Sequence, residues 1–350
     1  MSVHRSTTSV RDVAALAGVS VGTVSNVLNS PQLVSDATRQ RVQDAIEKLG
    51  WVRNESARQL GAGLSRSIGL VVMDIANPFF TDLTAGVENF VYERGYTVQL
   101  GNSAQDPQRE TTHLELFEQQ RVRGLLFAPI AEVGDRLFGI RGRGTPVVVV
   151  DRAGDDRNYC SVSVNDVEGG RLAVAHLVAL GHRRIAFVGG PSNLRQVRDR
   201  KLGAELASTS AAGQIELLVI STPLLDVASG LAAAGEIAAL ADVERPTGVF
   251  AANDLLAMGL LQGCVTYGLR VPEDVAIIGY DDIAFAGAAA VPLSSIRQPR
   301  HNLGHQAAEL LFEEISAADD GRDHEHQQIR FTPELVVRRS TSGRASSSRS

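Results

Sequence analysis

An α/β fold, with a small helical head ahead of a two-lobed body, is the class that the sequence predicts, and three observations predict it. Residues 10–50 hold three short amphipathic helical patterns, each bounded by capping residues. From Ser67 onward, strand-sized apolar runs alternate with helix-period segments, and the series is long enough to build two doubly wound parallel sheets. Charge divides along the same line: residues 1–66 carry eight Lys or Arg against five acids, a net of +3, whereas the remainder nets −9 within a total of −6. A basic head on an acidic body suits a protein whose smaller part meets a polyanion.

The head elements follow in order. Ser9-Val-Arg-Asp12 is a capping-box-like start, and Val10, Val13, Ala14, Leu16 and Ala17 give an apolar face that stops at Gly18. Ser20 caps a second helix through Leu28, with Val24, Val27 and Leu28 facing inward. Two short helices joined by a Gly-containing turn form a helix-turn-helix unit. Ser35 opens a third helix whose buried face is Val42, Ala45, Ile46 and Leu49, with Gly50 as its stop. On its outer side the second helix offers Gly22, Thr23, Ser25, Asn26 and Asn29, small or amide side chains that allow close approach to base edges in a major groove. Asn26 is the candidate base reader, since an amide pairs bidentately with adenine.

Residues 54–63 contain good helix formers but are too few to hold a helix alone. A segment of this kind orders on binding, and Leu60, its exposed apolar tip, could wedge a base step from the minor groove. In the body, strands are expected at Ile68–Ile75, Thr97–Gly101, Gly124–Pro129 and Pro146–Val150, with helices near Phe80–Arg94, Arg109–Arg121 and Val133–Arg141. A second series follows, with strands at Arg184–Val188, Glu216–Ile220, Gly248–Ala251 and Val275–Ile278, and helices at Glu168–Leu180, Arg198–Ser208, Val227–Leu240 and Leu255–Tyr267. Two such lobes bring their strand ends together around a crevice that takes a ligand.

Val10-Arg-Asp-Val-Ala-Ala-Leu-Ala-Gly-Val-Ser-Val-Gly-Thr-Val-Ser-Asn-Val-Leu-Asn29, with Val34–Arg39 and Asn54–Leu60, resembles the DNA-binding head and hinge helix of the lactose repressor (LacI/GalR) family. Asp74–Phe80, Gly181–Gly189, Ala252-Asn-Asp254, Gly268–Val275, Gly279-Tyr-Asp-Asp282 and Pro333–Thr341 are similar to landmarks of the same family's body. The resemblance implies a periplasmic-binding-protein type I core, crossed near residues 164, 295 and 328. It divides the chain into a helix-turn-helix domain at 1–53, a hinge at 54–66, an effector and dimerisation domain at 67–341, and a disordered tail at 342–350. Within the body, lobe 1 takes about 67–163 and 296–328, and lobe 2 about 164–295 and 329–341. It implies DNA contacts from Ser20, Val21, Gly22, Thr23, Ser25, Asn26, Asn29, Asn54 and Ala57, with Leu60 as the minor-groove wedge. It implies effector contacts from Phe79, Phe80, Arg200, Asn253 and Asp281: a guanidinium fork and a carboxylate gripping vicinal hydroxyls, with an aromatic ring on an apolar sugar face. The partners expected are a palindromic operator, a carbohydrate-like effector and a second copy of the chain. Many relatives carry Arg where Asn26 stands and larger side chains at Gly22, so no familiar operator is transferable.

Other features point elsewhere with less force. No run approaches the ~18 apolar residues of a membrane span and the first residues lack an apolar signal core, so a cytoplasmic protein is expected rather than an exported sugar carrier. Gly189-Gly190-Pro191 matches no phosphate-loop pattern, and there is no G-x-S-x-G elbow, so neither a nucleotide cofactor nor enzymatic turnover is expected. His301 and His305 lack the Glu of H-E-x-x-H. Cys160 and Cys264 read as buried structural thiols, and Asp319–His326 as a solvated acidic loop, so no metal is expected. No heptad pattern follows Arg339, which favours a dimer.

Overall fold

Caps decide where the head helices begin and end. The computed structural model describes residues 8–51, 65–130, 134–154, 158–211 and 214–342, and the chain divides into two units, residues 1–64 and 65–350. In the first, helix α1 (Val10–Ala17) is closed by the Asp12 carboxylate, which accepts from both the backbone N–H and the hydroxyl of Ser9 at 2.8 Å. These bonds hold the Asp12 carboxyl below the usual range. Gly18 then turns the chain at φ +63°, a left-handed conformation that a Cβ would strain. Ser20 caps α2 (Val21–Asn29) by accepting from the Thr23 N–H at 3.1 Å, and Ser35 does the same for α3 (Asp36–Leu49) from Thr38. Val13, Val24 and Val42 meet at zero exposure, with Ala14, Ala17, Val27 and Ala45 around them. One β-branched residue from each helix thus fixes a three-helix core too small to tolerate voids.

The second unit holds two six-stranded sheets. Its elements run β1 (Ser67–Val72), α4 (Pro78–Tyr92), β2 (Thr97–Asn102), α5 (Pro107–Gln119), β3 (Gly124–Phe127), α6 (Asp135–Gly142), β4 (Val147–Val150) and β5 (Cys160–Val164). There follow α7 (Asp166–Ala179), β6 (Arg184–Val188), α8 (Arg195–Ser210), β7 (Glu216–Ile220), α9 (Val227–Ala239), β8 (Gly248–Ala251), α10 (Asp254–Thr266) and β9 (Ala276–Asp281). The chain ends with α11 (Ala284–Ala288), β10 (Ser294–Arg297), α12 (Arg300–Asp319), β11 (Gln328–Phe331) and β12 (Glu334–Val336).

The first sheet has the order β11-β5-β4-β3-β1-β2 and the second β12-β10-β9-β8-β6-β7. All pairings are parallel except β10 with β12. Central strands such as β4, four valines all at zero exposure, are covered on both faces, as parallel sheets require. The chain passes between the sheets after Val164, between Arg297 and Arg300, and between Phe331 and Glu334.

Helix pairs close by backbone contact. A Cβ on Gly86 of α4 would stand 2.1 Å from the His301 carbonyl oxygen of α12, and one on Gly170 of α7 2.0 Å from the Arg200 carbonyl oxygen of α8. The second contact matters for the site, because it sets the depth at which α8 carries Arg200.

Candidate nucleic-acid interface and effector cleft

On α2, Val24 and Val27 face the head core, while Val21, Gly22, Ser25, Asn26 and Asn29 are exposed and Thr23 is half-buried. Thr23 shares its hydroxyl with Ser20 at 2.9 Å, and Asn29 donates to the Ser25 hydroxyl at 3.1 Å, which orients that edge of the helix. Val21 is 43% exposed, an apolar side chain beside the polar row and a fit for a thymine methyl. The helix therefore presents one continuous outward face of small, amide and methyl groups. Asn54, Ala57 and Leu60 lie outside the described residues, as do residues 343–350 of the tail expected to be disordered.

In the body, the polar groups gather where the strands of both sheets end. Arg200, on α8, is buried, donating from Nε to Asp166 at 2.8 Å and from one terminal nitrogen to the Ala252 carbonyl at 2.8 Å. The same nitrogen lies 3.9 Å from Asp281, and the guanidinium stacks on the Tyr280 ring at 3.7 Å. Burial opposes the guanidinium charge, but Asp166, Tyr280, Asp281 and Asp151 over-compensate and hold it protonated. Asp281 closes β9 at φ +104°. Its carboxylate accepts from Gln298 at 2.7 Å and from Asn77 at 3.2 Å. Burial raises its carboxyl above the usual range, while Arg200, Asn77 and Gln298 hold the rise in check.

Hydrogen bonds from Asn77 and Gln196 join the lobes. Asn77 caps α4, beside the first sheet, yet reaches Asp281 at the end of a strand in the second. Gln196, on α8, donates to the backbone oxygen of Asp151 at 2.9 Å and to its carboxylate at 3.1 Å. Arg300 adds a clamp, pairing with Asp82 of α4 at 2.8 Å while donating to the carbonyls of Asp281, at 2.6 Å, and Asp282. Asn77, Gln196, Arg300 and Asp151 carried no signal in the sequence, although Asp151, like Asp281, stands at the end of a buried strand. The rule that ligands sit beyond the carboxyl ends of parallel strands could have found them.

Not every expected effector residue keeps a free group. Asn253 caps α10: its Oδ1 accepts from Leu256 N–H at 2.9 Å and its amide donates to the Leu225 carbonyl at 3.0 Å. Phe79 and Phe80 pack edge-to-face at 4.9 Å and are 2% and 4% exposed, so both are core aromatics in this arrangement. Acceptors at the strand ends do remain open. Oδ1 of Asp151, Oε1 of Gln298 and Oγ1 of Thr222 are buried without a hydrogen bond among the described residues. The expectation of a fully solvated loop at Asp319–His326 is corrected: His324 and His326 are half-buried and turn onto Cys160, because the segment must return to β11, the neighbour of β5.

Asp151 gives the cleft a pH signature. Burial, with Asp166 and Asp281 nearby, raises its carboxyl well above 3.8, only partly relieved by Arg200. The folded protein thus holds this proton where the unfolded chain has released it, so its contribution is favourable below the unfolded value and is lost as pH rises through the folded one. Asp151→Asn, which still accepts from Gln196, is expected to raise the melting temperature at neutral pH, with the gain shrinking toward pH ~4. Thermal unfolding across that range checks this; a gain independent of pH would contradict it.

Comparison with known proteins agrees with both halves of this description. Residues 9–54 match the family model for bacterial regulatory proteins, lacI family, and residues 174–341 that for a periplasmic binding protein-like domain. The HTH-type transcriptional repressor PurR of Aliivibrio fischeri (strain ATCC 700601 / ES114) is 35% identical over 337 residues, 96% of this chain and 98% of the relative. The chain belongs to the lacI family. As a lacI-family protein, it is a DNA-binding transcription regulator. Among solved structures, a complex of the transcriptional regulator CelR with cellobiose is 30% identical and covers 95% of this chain and 99% of its own, at a TM-score of 0.68. The lac repressor dimer bound to operator and the anti-inducer ONPF is 26% identical and covers 96% of this chain and 99% of its own, at 0.79. For this lacI-family chain, no helix among the described residues is long and apolar enough to cross a membrane.

Proposed function

We propose that this lacI-family chain is a repressor that grips a palindromic operator as a homodimer, under the control of a neutral polyhydroxylated effector, a sugar or sugar derivative, held between the lobes. The head at 1–53 reads DNA, the hinge at 54–66 orders on it, and the body at 67–341 binds the effector and pairs the protomers. Two copies are needed because one helix-turn-helix reads a half-site, and two-fold symmetry matches a palindrome.

The observation that carries the effector class is the acceptor-rich cleft. Asp151, Asp166 and Asp281 surround one guanidinium, and Asp151 keeps a buried oxygen with no hydrogen-bond partner among the described residues. A ligand rich in O–H donors completes those acceptors, whereas a phosphate or carboxylate would add charge beside buried carboxylates. That CelR was solved with cellobiose supports the same class. Arg200 and Asp281 hold the hydroxyls, with Asp151, Gln196 and Asn77 beside them, Asn253 shaping the wall and Phe79 and Phe80 backing it. Because Asn77 and Gln196 already bridge the lobes, an effector that replaces their bonds shifts the lobe angle, and with it the spacing of the two hinges. Binding, rather than turnover, is the action, and it takes place where DNA is, in the cytoplasm.

Selection of bound duplexes from a random pool by the full chain tests this reading. The expected product is a palindrome, with affinity falling as salt rises and altered by one of a panel of neutral sugars. Asn26→Ala is expected to relax the preference at one base pair per half-site, about 1–3 kcal/mol of discrimination. Failure to enrich a palindrome, with or without the sugar panel, would overturn it.

A further inference from the structure

Away from the strand ends that form the cleft, Cys160 opens β5, Glu314 lies on α12, and His324 and His326 sit on the return from α12 to β11. The thiol sulfur is 3.2 Å from His324 Nε2 and 3.7 Å from His326 Nδ1. One ligand atom from each of the four residues lies within 4.8 Å of the others. Cys160 and Glu314 are buried and the histidines half-buried. We propose that these four side chains form a binding site for a divalent transition-metal ion of the zinc class.

The donor set fits such an ion. Zinc takes four ligands from Cys, His and carboxylate, with legs of about 2.0–2.3 Å that place tetrahedral ligand atoms roughly 3.3–3.6 Å apart. The two sulfur–nitrogen separations straddle that range. A thiolate with two imidazoles disfavours magnesium and calcium, which select oxygen. A second, independent observation comes from Glu314. Its Oε1 pairs with Arg141 at 2.7 Å, but its Oε2 is buried with no hydrogen-bond partner among the described residues. A cation supplies what that oxygen lacks.

Access and charge agree as well. A groove of about 580 Å³ opens beside His324, with Glu309, Glu313, Asp323 and Glu325 on its walls against Arg94 and Arg322, so the balance of charge along the approach is acidic. Arg141 is the local cation beside these side chains: it also lies 2.8 Å from His326 Nε2. When His326 ligates through Nδ1, Nε2 carries the ring proton and Arg141 gives up that contact, keeping Glu314 and the Val147 carbonyl. Burial pushes the Cys160 thiol up to about 11, so the thiol enters protonated and its proton passes to solvent as the sulfur–metal bond forms. The bound ion fastens the segment that feeds β11, after which the chain crosses to β12.

Cobalt(II) titration of the reduced, chelator-treated full chain tests the site. One equivalent per chain is expected, with a thiolate-to-cobalt charge-transfer band, visible bands of a tetrahedral ion, and bleaching of both by zinc. Cys160→Ser removes the charge-transfer band, Cys264→Ser leaves it, and His324→Gln with His326→Gln lowers zinc affinity at least about 100-fold. The double histidine variant lies nearer the surface and reads the site even where the thiol variant fails to fold. A weak octahedral spectrum unchanged in every variant, or a charge-transfer band that follows Cys264, overturns the proposal.

Discussion

Arg200→Ala is expected to lower the melting temperature of the ligand-free protein by roughly 6–20 °C, from about 3–5 kcal/mol of lost stability. The cost does not come from losing one ion pair, since exchanging a whole buried pair for apolar groups is often neutral. It comes from the acids left behind. Asp166 and Asp281 have side chains 8% and 3% exposed, and Asp151 is buried beside them. Without the guanidinium these buried acids lose their cationic partner, and the Ala252 carbonyl loses its donor as well. The double variant Arg200→Met, Asp166→Asn is expected to recover part of the loss, because it removes the partner together with the charge. Thermal unfolding without ligand separates two roles: a residue that only grips effector would leave this melting temperature unchanged.

That result bears on how far the chain could be read from residues alone. Helix starts and stops in the head were legible because Ser9, Gly18, Ser20, Ser35 and Gly50 act locally, and the structure places each at the helix end its chemistry predicts. The β/α alternation was legible for strands that are continuous apolar runs, such as Val147–Val150. Strand β5 escaped, since Cys-Ser-Val-Ser-Val reads as half-polar and short, yet every residue of it is buried between β4 and β11. Its partner β11 comes more than 160 residues later, and no local pattern carries that pairing. The site divided in the same way. Arg200 and Asp281 were signalled by family resemblance, but that the Arg200 fork is already committed to Asp166 and Ala252 is a tertiary fact. Asn253 shows the reverse: its polar group was visible, and its use as a helix cap was not. His324 and His326 look solvated in an acidic run until the sheet order brings Cys160 beneath them.

Gly22→Ala is expected to do two opposite things, stabilising the free protein while weakening operator binding. Glycine inside a helix costs about 1 kcal/mol relative to alanine, and nothing among the described residues of the head requires it at this position. A Cβ on Gly22 would meet only the Ser20 hydroxyl at 3.6 Å, an ordinary contact, and the backbone there is helical with no positive φ. Gly18 and Gly50 differ, since their left-handed backbones demand glycine whatever the surrounding space. A residue that breaks the local rule without a local reason is explained by what approaches from outside. Under the proposed reading of α2, that is the floor of the major groove, where the missing side chain would let the helix settle against base edges next to Asn26. The added methyl should therefore raise the head's stability by up to about 1 kcal/mol and reduce operator affinity by about 1–3 kcal/mol, the cost of overpacking a fitted contact. Thermal unfolding and duplex titration of the same preparation measure both. Unchanged affinity alongside the stability gain would show that α2 does not press Gly22 against DNA, and would move the reading face away from Asn26.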